Sequence, residues 1–266
     1  MIEIKRKPSL SQYLKSQTPD LVDYDTARQA WYDHRPDVGK QPYLSLPNKK
    51  IKKNEIYTVS FTGAPHRLGE FNACTASTPE CRRVCIRHTG RLQMPTQMKV
   101  GLDRMEFMRL FPSEALSLIH WETIKMSKKF DRIARRLNVV TDLHFENFAP
   151  WLFEEAPENC ITYDYTKHWN RAEFPADRYR LTYSATENHN YDRIKEQVAG
   201  GVNVAVIFPN EHKDTGYSPR WHGMPVIDGD ITDLRYNDPA GHVVALYAKG
   251  QARKITPGEN AFVKVF

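Results

Sequence analysis

Short apolar runs separated by polar turns fill the second half of the chain and predict strands. Two helix-compatible segments lie between them, at residues 148–156 and 191–199, and a glycine pair suited to a helix C-terminus follows the second. Strands that alternate with helices indicate a parallel sheet, and this many short buried strands indicate an α/β fold of the (β/α) barrel type, partial or irregular. The predicted strands are residues 138–141, 161–165, 179–183, 202–208, 225–227 and 242–247.

The first half of the chain predicts one strand and two long helices. Residues 56–61 (IYTVSF) are β-branched and aromatic with alternating apolar positions, which is typical of a strand. A helix is predicted over residues 97–110, and a second one from residue 112 to about residue 136. The second helix carries an apolar stripe that continues through Phe130 and Ile133, which predicts a face packed on the core.

Composition and charge narrow the class of protein. The chain has 266 residues, 40% of them hydrophobic, which is enough to bury a sizeable core. Residues 1–54 are polar with one predicted helix at 24–32 and read as an N-terminal arm, whereas residues 55–266 read as a single barrel-like catalytic domain. A net charge of +6 favours an anionic partner, namely nucleic acid or a nucleotide. The oligomeric state is not indicated by any of these features.

Two further features of the sequence concern membrane insertion and secretion. Its longest apolar runs fall well short of a membrane span, so no membrane segment is expected. The first ten residues, MIEIKRKPSL, lack the apolar core of a secretory signal. Together these features predict a folded, soluble protein.

Three of the four cysteines, Cys74, Cys81 and Cys85, lie within twelve residues. We call residues 74–85 the cysteine segment; its C-x6-C-x3-C spacing lets three thiolates converge on one metal centre. A [4Fe–4S] cluster or zinc would accept three sulfur ligands. The surrounding basic residues are expected to lower the thiol pKa values: Arg82, Arg83, Arg87, His88 and Arg91. A disulfide, a redox-sensing pair or inert buried thiols are the alternatives, and a role for Cys160 is left open.

Polar side chains cluster where the predicted strands end, and in a (β/α) barrel the catalytic groups lie at the carboxyl ends of the strands. The predicted catalytic residues are the ionisable groups Asp142, His144, Glu146, Asp164 and Asp228. The residues predicted to bind a cofactor are Asp142, Glu146 and Ser184. The residues predicted to hold substrate or phosphate are Lys167, His168, Lys213 and Lys249. Helix caps, a solvated acidic turn and core tyrosines beside a surface lysine are the structural alternatives for these clusters.

Two segments carry a family resemblance: ACTASTPECRRVCIRHTGRLQMP, and VIDGDITDLRYNDPAGHVVALYAKGQARK near the C-terminus. Together they resemble the bacteriophage gene product 88 family over residues 55–254. The resemblance implies a phage protein that acts in the cytoplasm of its bacterial host. A cysteine loop after the first strand is also similar in position to the cluster loop of radical-SAM enzymes, although their usual spacing is C-x3-C-x2-C and no glycine-rich SAM-amine motif follows the second strand.

These features predict a phage metalloenzyme that binds an Fe–S cluster through the cysteine segment and modifies nucleic acid or a nucleotide. S-adenosylmethionine is its candidate cofactor, with Asp142 or Glu146 fixing the amine. One alternative is a transglycosylase-like base-exchange enzyme with structural zinc, in which Asp142 or Asp228 attacks the glycosidic carbon. The other is a non-catalytic, zinc-bearing protein that binds DNA or a host protein. The chain lacks the GxxxxGK[ST], GxGxxG and GxSxG motifs of nucleotide-binding proteins and serine hydrolases.

Overall fold

A computed structural model of the chain describes residues 7–36, 40–45, 56–68, 70–171, 178–213 and 216–266. These residues form a mixed α/β fold, which confirms the α/β class, and the barrel type stays a prediction. The helices are α1 (Leu10–Ser16), α2 (Tyr24–His34), α3 (Pro79–Arg83), α4 (Pro95–Leu110), α5 (Pro112–Ser127), α6 (Phe145–Phe148), α7 (Trp151–Glu154) and α8 (Tyr191–Ala199). The strands are β1 (Tyr57–Ser60), β2 (Arg67–Leu68), β3 (Phe71–Asn72), β4 (Ile133–Arg136), β5 (Cys160–Thr166), β6 (Tyr179–Ser184), β7 (Val204–Phe208), β8 (Arg220–Trp221), β9 (Met224–Asp228) and β10 (Val243–Tyr247).

Within the described residues, eight strands form one mostly parallel sheet in the order β1-β4-β5-β6-β7-β10-β9-β8, and β2 and β3 form a separate antiparallel pair. Strand β1 is parallel to β4, β4 to β5, β6 to β7, and β10 to both β7 and β9, whereas β8 is antiparallel to β9. The carboxyl ends of the parallel strands therefore lie on one edge of the sheet within each paired set. None of the helices in the described ranges is long and apolar enough to cross a membrane.

The chain divides into two compact units. The first unit comprises Met1–Thr75 and Pro95–Thr162, and the second comprises Ala76–Met94 and Tyr163–Phe266. The division passes through β5, because residues 160–162 belong to the first unit and residues 163–166 to the second. The predicted boundary between arm and domain, at residues 54 and 55, lies outside the described residues.

The first unit has an aromatic core next to a buried carboxylate. The Trp31 ring lies 5.0 Å from the Tyr43 ring and 5.2 Å from the Phe107 ring. On α5, the Glu122 carboxylate accepts hydrogen bonds of 2.8 Å from the backbone N–H groups of both Tyr43 and Leu44. Burial raises the pKa of Glu122 to about 7, although these two N–H groups and the Arg104 guanidinium favour its charged form. The carboxylate thus ties a distant backbone segment to α5.

The second unit is built on β6, β7, β10 and β9, with α8 packed on it. Its core includes Ile194 of α8, Val206 and Phe208 of β7, and Val243 and Ala245 of β10. At the start of α8, Asn190 accepts a 3.0 Å hydrogen bond from the Arg193 N–H, as expected of a helix N-cap. The chain leaves the helix at Gly200, followed by Gly201 with a φ of +87°, a value that favours glycine. The predicted α8 and its glycine end are confirmed.

Most predicted elements are confirmed, but the stretch after α5 is not. The predicted helix to residue 136 is wrong: α5 ends at Ser127, and residues 133–136 form β4. The predicted strand at 138–141 is also wrong, because those residues form a loop. The predicted helix over residues 148–156 is interrupted, since α6 ends at Phe148 and α7 covers Trp151–Glu154.

Candidate functional site

The cysteine segment belongs to both units. Cys74 lies at the end of a stretch of the first unit, whereas Cys81 and Cys85 belong to the second unit. All three cysteines are partly exposed, whereas Cys160 is buried at the start of β5. The surroundings of Cys74 and of the other two cysteines therefore need separate description.

In the first unit, Cys74 lies against the loop that follows β4. Its Sγ approaches the Val140 carbonyl oxygen at 3.7 Å, and its N–H donates to Asn72 Oδ1 at 2.9 Å. The Asp142 N–H donates to the Ala73 carbonyl at 3.0 Å, so the chain on both sides of the thiol is fixed to this loop. Cys74 is thereby placed at the carboxyl end of β4.

The loop after β4 and the start of α6 together carry three predicted catalytic residues. The Asn138 side chain organises it, since Oδ1 accepts from the Leu143 N–H at 2.8 Å and Nδ2 donates to the Leu143 carbonyl at 3.0 Å. Asp142 is buried in this loop, and His144 and Glu146 follow it at the start of α6. The first unit therefore brings Cys74 and the predicted residues Asp142, His144 and Glu146 to one strand end.

In the second unit, Cys81 lies on α3, and Cys85 begins the next 3₁₀ helix, Ile86–His88. Thr78 is the N-cap of α3, and its Oγ1 accepts a 3.2 Å hydrogen bond from the Cys81 N–H. The two thiols are near enough that charge on Cys81 raises the pKa of Cys85. Two of the three predicted ligands therefore lie in one short stretch of the second unit, close enough to interact electrostatically.

The prediction that basic neighbours lower the thiol pKa is wrong for Cys85. Burial raises its pKa, and this effect exceeds the lowering caused by the Arg87 backbone N–H and by the charges of Lys167 and Arg87. The arginines on α3 itself are engaged elsewhere: Arg83 pairs with Glu80 at 2.6 Å, and Arg82 donates to the Ser77 and Thr78 carbonyls. Burial thus outweighs the positive charge around Cys85, and Arg82 and Arg83 are held by contacts within their own segment.

Glu187, just beyond the carboxyl end of β6, anchors the segment that carries Cys81. Its carboxylate accepts a 2.8 Å hydrogen bond from Thr78 Oγ1 and a 3.0 Å hydrogen bond from the Glu80 N–H. Sequence reasoning assigned this residue no site role. Its signal was the N-cap sequence Thr78-Pro79-Glu80, which leaves backbone N–H groups for an acceptor from elsewhere.

The predicted residues on β5 and β6 have mainly structural surroundings. Asp164 is fully buried, and its Oδ2 accepts a 2.9 Å hydrogen bond from the Tyr179 hydroxyl. The Ser184 carbonyl accepts from Trp169 Nε1 at 3.1 Å, and the His168 N–H donates to Thr166 Oγ1 at 3.1 Å. Lys167, immediately after β5, is the exception, since its charge acts on Cys85.

A second polar group lies at the carboxyl ends of β9 and β10. Asp228 Oδ1 accepts a 2.8 Å hydrogen bond from the Asp230 N–H. The Asp230 carboxylate binds the Tyr247 N–H and Lys249 Nζ, both at 2.8 Å, so Lys249 is engaged in an ion pair. The Tyr217 phenol is close to both acids, and burial together with their charges raises its pKa. The side chain of Lys213 lies outside the part of the chain that the structure describes.

Most of the predicted site residues therefore fall into three groups, one in the first unit and two in the second, and Asp164, Ser184 and His168 lie apart from these groups. Within the described ranges, no three or more His, Cys, Asp and Glu side chains form a group that could hold a metal ion. The second unit supplies two neighbouring thiols, which is two of the three ligands expected from the spacing.

Comparison with known proteins identifies the family. Searches of curated proteins and of solved structures give no significant match to this chain. One family model, described as gene product 88, matches residues 40–260 and so includes the cysteine segment and the acidic loop after β9. The match concerns this family alone, and the radical-SAM likeness of the cysteine segment stays a prediction. The chain belongs to the gene product 88 family.

Proposed function

We propose that this protein is a metal-thiolate enzyme in which the cysteine segment binds a [4Fe–4S] cluster, with zinc as the alternative metal. The observation that carries the proposal is the Cys81 and Cys85 pair in the second unit: both are partly exposed, one on α3 and the other at the start of the 3₁₀ helix that follows it. Their C-x3-C interval is one that metal sites use. The participation of Cys74 rests on the C-x6-C-x3-C spacing alone.

The position of the thiol pair supports a catalytic rather than a purely structural centre. Glu187 after β6 and Lys167 after β5 both act on this segment. Val84, between the two cysteines, packs on Ala248, which follows β10. The pair is therefore anchored at the carboxyl ends of parallel strands, which is where α/β enzymes place their chemistry.

The strand order supports the finer prediction of a barrel-type arrangement. Strands β1, β4, β5, β6 and β7 are neighbours in chain order. A doubly wound sheet reverses its order at a switch point, whereas a (β/α) barrel does not. The order then departs from a regular barrel, since β10 follows β7 and precedes β9.

The raised pKa of the Cys85 thiol is compatible with metal binding. A bound metal cation deprotonates a coordinating thiol, so a thiol need not be ionised beforehand. Nucleic acid or a nucleotide is the proposed substrate class, supported by the net charge of +6. S-adenosylmethionine as cofactor is carried only by the position of the cysteine segment after the first strand.

A second candidate function is base exchange on a nucleoside, with Asp228 as the nucleophile. The observation that favours it is the carboxylate–phenol group of Asp228, Asp230 and Tyr217 beside the partly exposed end of β9. Replacing Asp228 with Asn and analysing host and phage nucleosides by mass spectrometry tests this function. Altered nucleosides that vanish in the variant support base exchange, and identical nucleosides with and without the wild-type protein contradict it.

The metal proposal is tested by purifying the protein without oxygen and measuring iron, sulfide and zinc per chain. The variants Cys74→Ser, Cys81→Ser and Cys85→Ser are each expected to lose most of the bound metal. Cys160→Ser is the matched control, because Cys160 is buried at the start of β5 and lies outside the cysteine segment, and this variant should retain the wild-type metal content. Wild-type protein free of iron and zinc contradicts the proposal.

A further inference from the structure

Glu187 is connected to Cys81 by a short chain of hydrogen bonds. The Thr78 hydroxyl donates its hydrogen to Glu187 Oε2 at 2.8 Å and accepts from the Cys81 N–H at 3.2 Å. The other carboxylate oxygen, Oε1, accepts from the Glu80 N–H at 3.0 Å. Because a hydroxyl has a single hydrogen, the bond to Glu187 fixes which way the Thr78 oxygen presents its lone pairs.

This contact goes beyond the capping of a short helix. Thr78 already caps α3 from within the segment, and α3 has only five residues, too few to be stable by itself. Glu187 comes from the end of β6, more than one hundred positions further along the chain. The carboxylate thus fixes α3 to the sheet, rather than only completing its first turn.

The loop that carries Glu187 is itself held rigidly. Lys264 is fully buried, and its Nζ donates to the carbonyls of Thr186 at 3.1 Å, His189 at 2.7 Å and Glu259 at 2.6 Å. All three ammonium hydrogens are therefore used, two of them on residues that flank Glu187. The His189 ring stacks on Trp169 with ring centres 3.7 Å apart, which fixes the same loop from its other side.

The C-terminal segment, residues 262–264, also packs against the stretch that carries the thiol pair. Phe262 and Val263 form one apolar cluster with Val84, and Cys81 packs against this cluster. The Lys264 N–H donates to the Ile207 carbonyl at 2.8 Å, which attaches the segment to β7. Polar bonds through Glu187 and apolar contacts through Val84 thus hold the two sides of the backbone that carries Cys81 and Cys85.

We propose that Glu187 is the positioning residue of the thiol pair Cys81 and Cys85. It acts through Thr78 and Glu80, and it sets the backbone from which both thiols project. The inference rests on the proposed function, in which these thiols bind a metal. Groups that orient metal ligands from outside typically change metal affinity by about 10- to 100-fold when they are removed.

The test uses full-length metal-free protein and the variants Glu187→Ala and Glu187→Gln. Glu196→Gln is the matched control, since Glu196 is an exposed residue on α8 and the charge change is the same. Two quantities are measured: the affinity for Cd²⁺, followed by thiolate-to-metal absorbance, and the iodoacetamide alkylation rates of Cys81 and Cys85, mapped by mass spectrometry.

Glu187→Ala is expected to weaken Cd²⁺ binding by about 10-fold or more and to change both alkylation rates, because α3 is released from the sheet. Glu187→Gln keeps one acceptor oxygen and should give a smaller effect of the same sign, and Glu196→Gln should match the wild type. Wild-type affinity and alkylation rates in a folded Glu187→Ala protein would overturn the inference. If the wild type binds no Cd²⁺ but the alkylation rates still change in Glu187→Ala, the metal proposal fails and the positioning role stands.

Discussion

Two glutamates, one in each unit, do similar work in different surroundings. Glu122 in the first unit and Glu187 in the second each accept two hydrogen bonds from a segment distant in sequence, including backbone N–H groups. Glu122 lies in the core, and its pKa is raised to about 7 by burial. Glu187 lies partly exposed beyond β6. The buried carboxylate supports the fold, whereas the exposed one supports a segment that carries chemistry.

The largest effect is expected from removing the buried carboxylate. Glu122→Ala leaves two backbone N–H groups without their acceptor and Arg104 without its nearby opposite charge. The free energy of unfolding in urea should fall by about 3 to 5 kcal/mol. Glu106→Ala on α4 is the matched control, since that side chain is 58% exposed and should leave the stability nearly unchanged. A loss no larger than in the control would contradict the role given to Glu122.

The titration of Glu122 should also change the stability of the protein with pH. Since the pKa of Glu122 rises from 4.5 in the unfolded chain to about 7 in the fold, the folded state binds more protons between these values. The stability that Glu122 contributes is therefore full below pH 4.5, and about 3 kcal/mol of it is lost as the pH rises to 7.

Wild type and Glu122→Gln should be compared by urea unfolding across this range. Burial lowers the pKa of His120 to about 4, so His120 makes the free energy of unfolding rise with pH, whereas Glu122 makes it fall. His120 is present in both proteins, so its contribution cancels in the difference between their unfolding free energies. That difference should change with pH as described for Glu122. Parallel pH profiles would show that Glu122 does not titrate in this way.

A smaller effect is expected at Thr78, which joins Glu187 to Cys81. Thr78→Ala removes the N-cap of α3 and the hydroxyl that donates a hydrogen bond to Glu187. The free energy of unfolding should fall by about 1 to 2 kcal/mol. Thr78→Ser keeps both hydrogen bonds and should restore most of the stability. Equal losses in the two variants, measured by thermal and urea unfolding, would mean that the hydroxyl is not the important group.

The smallest effect on stability is expected at Glu187 itself. Because Glu187 is partly exposed and Thr78 still caps α3, the Glu187→Ala protein should lose only about 1 kcal/mol. Urea unfolding beside the Glu196→Gln control measures this loss. A loss as large as that of Glu122→Ala would remove the distinction between the two carboxylates.

Much of the second unit could be predicted from sequence, because its strands are apolar runs with clear ends. Strands β5, β6, β7 and β10 fall on the predicted runs, and α8 ends at the predicted glycine. Strands β7 and β10 in particular are continuous, largely buried apolar stretches, so hydrophobic pattern and structure agree there.

The stretch after α5 was predicted wrongly because its polar side chains are buried. Arg135 of β4 is fully buried, where it donates to Thr162 Oγ1 at 3.0 Å and to the Leu152 carbonyl at 2.7 Å. In the sequence, a charged residue such as Arg135 is typical of the exposed face of a helix. Phe130 and Ile133 match the apolar face of the same helix, so the pattern predicted a helix that continued to residue 136. Residues 138–141 form a loop instead of a strand, because the Asn138 side chain bonds the backbone of Leu143.

The candidate site could be predicted only in part, because the spacing of the cysteines in the sequence does not determine where their side chains lie in the fold. The sequence correctly placed Asp228 at the end of a strand. The strand predicted directly before Asp142 is wrong, because Asp142 lies in the loop that follows β4. The sequence did not reveal that Cys74 belongs to a different unit from Cys81 and Cys85, or that Glu187 would reach α3. Both facts depend on long-range contacts that no local pattern encodes.

X-ray absorption spectroscopy at the metal edge of anaerobically purified protein tests the metal-thiolate proposal most directly. We predict a first coordination shell dominated by sulfur, with iron neighbours if a cluster is present, or sulfur at about 2.3 Å if the metal is zinc. The sulfur signal should fall in the Cys81→Ser and Cys85→Ser variants and persist in Cys160→Ser. A shell of oxygen and nitrogen only, or a sulfur shell unchanged by the first two substitutions, would contradict metal binding by the cysteine segment.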